Sequence, residues 1–223
     1  MRYFPVFLDL TSRTCLVVGA GRVGTRKIRT LLKSSPARIL VVDPHVPRLD
    51  IPDSRGVVEH LQADFDPSHL KGCHMAFACT SDPGVNEKVL QACRRSSIWC
   101  NIAQRPDQGD FILPAVFSRQ DLIIAVSTCG CSPALCAAVK KELMDIYGPE
   151  YDLLTRLLAQ VRQLILPLGL PQSRNKIFFG KIVESDILNH LKAGRKAELM
   201  VLLKDILPDQ THNRIQDIVD DLL

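Results

Sequence analysis

Up to Ala103, the hydrophobic residues of the chain alternate between strand-like and helix-like spacing. Thr14–Val18 and Arg38–Val42 are compact apolar runs of the kind that form buried strands, and apolar residues between them, over 21–33, recur at helical spacing. A second helix is predicted over Pro83–Arg95, which opens with a cap residue and a proline in its first turn. Further strands are predicted at 56–61, 73–79 and 98–102. This alternation, with short links, predicts a parallel sheet covered by helices on both faces.

The pattern changes after Ala103. Short β-like segments at 111–113, 115–118 and 122–127 follow one another without helices, which predicts antiparallel pairing. From Ser132 onward the spacing is helical, with breaks at prolines and glycines. The predicted helices cover 132–147, 151–166, 176–192, 198–207 and 211–222. We therefore expect an α/β fold in which the parallel sheet is followed by a small α+β region and then by a helical domain.

Composition and charge exclude several classes of partner. The 223 residues carry a formal charge of +4 and only 5% aromatic residues, without the dense basic stripe typical of nucleic-acid binding. No uncharged apolar stretch approaches the roughly 18 residues that a membrane span requires, and the first residues lack the apolar segment of a signal peptide. The eight cysteines include no Cys-x-x-Cys pair and several lie in apolar runs, as buried, reduced thiols do. These features predict a cytoplasmic protein that binds neither nucleic acid nor membrane.

A glycine-rich motif, Gly19-Ala20-Gly21-Arg22-Val23-Gly24, stands between the first predicted strand and the first predicted helix. In a G-x-G-x-x-G motif the first glycine allows a tight turn, the second lets the backbone approach a pyrophosphate, and the third lets helix and strand pack closely. The free amides at the start of the helix then face the phosphates. Because a strand precedes the motif and a helix follows it, the alternative of a tight turn without a ligand is disfavoured. We therefore predict a Rossmann-type dinucleotide-binding domain.

Asp43 ends the next predicted strand, 22 residues after Gly21. An acidic residue at this distance hydrogen-bonds the ribose hydroxyls of the cofactor, and its charge repels the 2′-phosphate of NADP. The sequence therefore predicts NAD as the cofactor. Arg48 lies close by in the sequence and weakens this preference, because a guanidinium accommodates a phosphate.

Further segments of the chain form a set together with the glycine motif. They are Phe4-Pro5-Val6-Phe7-Leu8-Asp9-Leu10, Arg26-Lys27, Ala78-Cys79-Thr80-Ser81-Asp82, Cys100-Asn101-Ile102, Phe111-Ile112-Leu113-Pro114, Ala125-Val126-Ser127 and Ser132-Pro133. In their order and spacing these segments resemble the precorrin-2 dehydrogenases, the NAD-dependent module of the siroheme synthases. The resemblance is close as far as about residue 145 and loose over the helical tail.

The resemblance implies both an architecture and a chemistry. Family members combine a Rossmann domain, here 1–110, with a dimerisation region, here 111–148, and a helical domain, here 149–223, and they form homodimers. They dehydrogenate precorrin-2 to sirohydrochlorin with NAD, and some members also insert iron into the product. The cofactor contacts expected from the motif and the resemblance are Gly19, Gly21, Arg22, Val23, Gly24, Asp43, Pro44, Thr80 and Asn101.

One residue departs from the family pattern. The family often carries an aspartate that is implicated in catalysis three residues after the asparagine matching Asn101, and this sequence has Gln104 there. An uncharged amide accepts no proton, which argues against iron insertion more than against hydride transfer, since hydride transfer depends chiefly on placing the cofactor against the substrate. Asp107 and Asp110 lie nearby and are candidates to supply the missing carboxylate. Arg105, at the end of the fifth strand, is the candidate partner for a substrate carboxylate.

Two interpretations of Ser132 stay open. The family pattern puts it in the substrate cleft, where its hydroxyl would bind a substrate carboxylate, and Ser132-Pro133 also has the form of an ordinary helix cap. The nearby group Cys129, Cys131 and Cys136 matches no common zinc spacing, so we expect no metal site there.

Three functions fit the sequence to different degrees. The first is NAD-dependent dehydrogenation of precorrin-2. The second is a bifunctional enzyme that also acts as a sirohydrochlorin ferrochelatase, which Gln104 disfavours. The third is a regulatory NAD-binding module without turnover, which would need neither Ser132-Pro133 nor the helical tail.

Overall fold

The computed structural model describes residues 2–46, 49, 51 and 56–223. The chain divides into two compact units, Met1–Leu113 and Pro114–Leu223. The dinucleotide-binding domain was expected over 1–110. The separate boundary expected at residue 148 stays a prediction.

The first unit is built on a five-stranded parallel sheet with the strand order β3-β2-β1-β4-β5. Its strands are β1 (Thr14–Val18), β2 (Arg38–Val42), β3 (Val58–Leu61), β4 (Met75–Ala78) and β5 (Trp99–Ile102). Helix α1 (Arg22–Leu32) follows β1, and α2 (Pro83–Arg95) joins β4 to β5. Short 3-10 turns lie at Pro67–Leu70 and Pro106–Gln108. The predicted α/β fold is confirmed.

The sheet has an apolar core on each face. Leu16, Leu40 and Ala76 belong to the core on which α2 packs, whereas Val17 and Phe77 point to the other face, which α1 covers. This burial on both sides explains why the central strands are continuous apolar runs. From β1 the chain moves outward through β2 and β3, then returns to the other side of β1 for β4 and β5. Ligands of such sheets bind beyond the carboxyl ends of the strands at this reversal, here between β1 and β4.

The second unit begins with an antiparallel ribbon of β6 (Ala115–Arg119) and β7 (Leu122–Val126). Six helices of the described chain then follow: α3 (Pro133–Ile146), α4 (Glu150–Ile165), α5 (Gln172–Glu184), α6 (Ile187–Ala193), α7 (Lys196–Ile206) and α8 (His212–Leu222). Residues of α4 to α8 share one apolar core. None of the described helices is both long and apolar enough to span a membrane.

Two predicted elements differ in the structure. The segment 111–113 is not a strand. Phe111 instead packs edge-on against Phe77, with ring centroids 5.5 Å apart, and its carbonyl accepts a hydrogen bond from Asn101. The single helix expected over 176–192 is two helices, because the backbone of Ser185 is extended and its hydroxyl donates to the Ile182 carbonyl at 2.7 Å.

Candidate functional site

Two glycines of the motif hold the phosphate loop tightly against its neighbours. Gly19 has φ +93°, a conformation that favours glycine, and a Cβ there would lie 2.8 Å from the backbone of Cys79 and Thr80. A Cβ on Gly24 would lie 1.8 Å from the Gly19 carbonyl oxygen. Both positions therefore require glycine for close packing of the loop, α1 and the end of β4.

Gly21 differs, because its open side faces no protein atom. A Cβ there would meet nothing within 4 Å, and its φ of −64° suits any residue. Gly21 caps α1 without a side chain, so the first amides of the helix, beginning with Arg22 and Val23, lack partners from within the helix. The first turn of α1 carries no acidic residue to neutralise them. An open backbone approach to free helix-terminal amides fits the pyrophosphate of a dinucleotide.

Asp43 lies at the carboxyl end of β2 and binds the phosphate loop directly. Its Oδ2 accepts a hydrogen bond from the Ala20 amide at 2.7 Å, and its Oδ1 accepts from the amides of His45 and Val46 at 2.8 and 3.0 Å. Burial acts to raise the pKa of this carboxyl, but the hydrogen bonds from the three amides outweigh burial and hold the pKa below its ordinary value. Asp43 is therefore ionised at neutral pH and fixes the loop, and its contact with the cofactor ribose stays a prediction.

Pro44 and Arg48, which follow Asp43 in the sequence, were also expected near the cofactor. Pro44 follows Asp43 directly, and the Pro44 carbonyl accepts a hydrogen bond from Gln62 at 3.3 Å. Arg48, which the sequence suggested as a partner for a 2′-phosphate, lies outside the described residues. The structure thus places the charged Asp43 at the carboxyl end of β2, beside the phosphate loop.

Thr80 follows β4 and is held by Asn86, a residue that the sequence analysis missed. Asn86 is 3% exposed, and its Oδ1 accepts from the Thr80 amide and hydroxyl at 3.2 and 2.9 Å, while its Nδ2 donates to the Thr80 carbonyl at 3.0 Å. One signal was present in the sequence. Asn86 occupies a position of the apolar stripe of α2 that continues with Val89, Leu90 and Cys93, and a buried amide in such a stripe needs hydrogen-bond partners.

Asn101 lies in β5 near the carboxyl edge of the sheet. Its Nδ2 donates to the Phe111 carbonyl at 2.8 Å, whereas its Oδ1 is buried and has no hydrogen-bond partner. An unsatisfied buried acceptor is unusual and costly, but this oxygen has almost no accessible surface, so the ligand contact expected of Asn101 stays a prediction.

The residues after β5 have different surroundings. Gln104 is exposed, and its Nε2 donates to the carbonyls of Thr80 and Ser81 at 3.1 and 3.4 Å. Gln104 and Arg105 line a cleft beside the start of α2. Asp110 is already engaged, since its Oδ2 accepts from the Cys100 amide at 2.8 Å.

Asp107 is the more accessible of the two candidate acids. The residue is exposed, and its backbone carbonyl accepts a hydrogen bond from the Arg2 guanidinium. The Asp107 carboxylate takes no part in this contact, whereas the Asp110 carboxylate accepts from the Cys100 amide.

Ser132 belongs to the second unit, unlike the other candidate site residues. Its Oγ accepts from the Leu135 amide at 3.1 Å, so the predicted cap of α3 is present. An Oγ that accepts this bond still has its own proton to donate, so capping and substrate binding are compatible. The substrate contact of Ser132 stays a prediction.

The cysteines are free thiols, and most of them are packing residues. Cys136 is buried, and Cys129 and Cys131 are exposed. Burial raises the pKa of Cys15 to about 12 and that of Cys79 to about 11, so both remain protonated at neutral pH. Within the part of the chain that the structure describes, no group of three or more His, Cys, Asp or Glu residues is placed to hold a metal ion.

The chain is similar to several known proteins. Residues 6–115 match the model of an NAD(P)-binding family. The siroheme synthase of Nitrosomonas europaea is 32% identical over 95% of this chain and 45% of its own length. That of Nitrosococcus oceani is 31% identical over 89% of this chain and 42% of its own length. The chain therefore spans a little under half the length of these relatives.

A solved structure shares the fold. SirC, a precorrin-2 dehydrogenase, has a TM-score of 0.70 with 24% sequence identity, covering 98% of this chain and 100% of SirC. The prediction of a nicotinamide dinucleotide cofactor is confirmed. The resemblance found in the sequence is confirmed as well: residues 6–115 carry an NAD(P)-binding domain, and the chain is a homologue of the siroheme synthases.

Proposed function

We propose that this protein dehydrogenates precorrin-2 to sirohydrochlorin with NAD as the oxidant. The observation that carries the proposal is the phosphate loop, in which Gly21 leaves an open approach to the free amides of α1 at the reversal of strand order. The siroheme synthase homologues and the fold shared with SirC support the choice of substrate.

Each part of the proposed site has a distinct task. The α1 amides and the open side of Gly21 hold the pyrophosphate, Gly19 and Gly24 let the loop pack closely, and Asp43 accepts from the adenosine ribose. When bound there, oxidised NAD supplies a hydride acceptor. Asn101 ties the end of β5 to the Phe111 carbonyl, and Arg105 offers a positive charge to a substrate carboxylate.

Removal of hydride from precorrin-2 leaves one proton to be lost. Gln104 does not accept it, because its amide is uncharged and directs its Nε2 to two carbonyls. Asp110 is engaged with the Cys100 amide. We assign proton acceptance to Asp107 or to water, since an exposed carboxylate needs no rearrangement to take it up.

We also propose that the protein is a cytoplasmic homodimer. Val116 and Ile123 expose apolar side chains on the same outward face of the β6–β7 ribbon, and Leu135 and Ile146 are exposed on α3. Exposed apolar surface of this kind is typical of protein interfaces. Eight free cysteines fit a reducing compartment.

The preference for NAD over NADP is expected to depend on Asp43. Its ionised carboxylate repels a 2′-phosphate, so wild-type kcat/KM should be higher with NAD than with NADP. Asp43→Ala should reduce this difference in kcat/KM between the two cofactors. Asp43→Ala should also weaken binding of both cofactors, because the bond to the Ala20 amide is lost. Steady-state kinetics with both cofactors check this prediction, and equal efficiency of the wild type with NAD and NADP would contradict it.

The proposed activity is tested by turnover rather than by binding. Purified protein, precorrin-2 and NAD should give the absorption spectrum of sirohydrochlorin, and omission of NAD should prevent it. NAD binding without conversion of precorrin-2 would point to a regulatory module instead.

A further inference from the structure

The loop between β4 and α2, residues 79–82, forms one wall of the phosphate loop. The Gly19 Cα lies so close to it that a Cβ would fall 2.8 Å from the Cys79 carbonyl carbon and the Thr80 nitrogen. Any displacement of the peptide that joins Cys79 to Thr80 therefore changes its contact with the turn that shapes the phosphate loop. The position of this peptide is consequently part of the dinucleotide site.

Two side-chain amides bind the backbone of Thr80. Asn86 binds both of its polar groups, accepting from the nitrogen at 3.2 Å and donating to the carbonyl at 3.0 Å. Gln104 donates to the same carbonyl at 3.1 Å and to the Ser81 carbonyl at 3.4 Å. The Thr80 carbonyl thus accepts two hydrogen bonds, one from α2 and one from the segment after β5.

The chemistry at position 104 follows from these contacts. Both of its partners are carbonyl oxygens, so the side chain must be a hydrogen-bond donor. An ionised carboxylate has no proton to donate and would face two oxygens of like partial charge. Gln104 therefore donates two hydrogen bonds that an ionised carboxylate at this position could not donate.

We infer that Gln104 and Asn86 are positioning residues that jointly fix the backbone of Thr80, whose nitrogen lies against Gly19, and that in this chain a donor at position 104 is needed for tight NAD binding. This inference rests on the proposed function only in taking NAD as the ligand. It assigns Gln104 to the geometry of the cofactor site instead of to proton transfer.

The test is calorimetric titration of the full chain with NAD. Gln104→Glu keeps the length but removes the donor, and Gln104→Met removes the donor without adding charge. Asn86→Asp removes the other donor to the Thr80 carbonyl and keeps an acceptor for the amide. Each variant should raise the Kd for NAD about threefold to tenfold, the range that one hydrogen bond is worth. Gln91→Glu is the matched control, because Gln91 donates to Glu87 on the exposed face of α2, and its Kd should stay within error of the wild type.

The double variant Gln104→Met/Asn86→Asp separates a shared action from two unrelated ones. Because both amides act through one carbonyl, the double variant should raise the Kd by less than the product of the single effects. An unchanged Kd in Gln104→Met, or effects that multiply independently, would overturn the inference. Failure of the wild type to oxidise precorrin-2 while it binds NAD would refute the proposed activity and leave these binding predictions in force.

Discussion

Gly21→Val is expected to abolish NAD binding while leaving the protein folded. The valine Cβ meets no protein atom within 4 Å, but its methyl groups extend into the approach to the α1 amides. Each charge-assisted hydrogen bond from an amide to the pyrophosphate is worth about 1.5–3 kcal/mol, so loss of the set should raise the Kd by about 100-fold or more. Calorimetric titration measures the binding, and a circular dichroism melt measures the fold.

Gly24→Ala provides the contrasting control. Its Cβ would lie 1.8 Å from the Gly19 carbonyl oxygen, so the loop and α1 must separate to admit it. Overpacking of this kind costs about 1–3 kcal/mol, and the variant should lose thermal stability as well as NAD affinity. Retained NAD affinity in a folded Gly21→Val variant would show that the motif is not the phosphate site.

The second large effect is expected with metal ions. Supplied with sirohydrochlorin and Fe²⁺ or Co²⁺, the protein should insert little or no metal above the uncatalysed background. Insertion must remove protons from pyrrolic nitrogens, and the Gln104 amide, which donates to Thr80 and Ser81, takes up none. General-base assistance is worth about 10²- to 10⁴-fold in rate, so its absence is measurable.

The insertion assay compares spectra of the metallated product with and without protein. Robust insertion that depends on the protein would contradict the prediction. The exposed Asp107 would then be the first residue to substitute, since Asp110 is engaged with the Cys100 amide.

The sequence predicts regular elements well where local signals agree. Thr14–Val18 and Arg38–Val42 were predicted with the bounds that the structure has, because both are buried on each side and contain only apolar residues after their first position. The break between α5 and α6 was missed because apolar residues continue at intervals of four across it, from Val183 to Ile187 and Leu191. The extended backbone of Ser185 and the hydrogen bonds of its hydroxyl mark the break in the structure.

The candidate site was predictable in its motif and not in its supporting bonds. The glycine motif is a local pattern, so the loop and its helix follow from the sequence. The bond from Ala20 to Asp43 spans 23 residues and that from Gln104 to Thr80 spans 24, and neither leaves a periodic signature. Gln104 therefore looked like a missing acid until the fold brought it to the two carbonyls.

Anaerobic turnover of precorrin-2 with NAD tests the central claim most directly. The absorption of sirohydrochlorin and that of NADH are followed together in one sample, with the Gly21→Val variant run beside the wild type. The account predicts that the wild type forms both products in equal amounts, at a rate proportional to protein concentration, and that the variant forms neither. Sirohydrochlorin formed equally fast without NAD, or no product despite bound NAD, would contradict it.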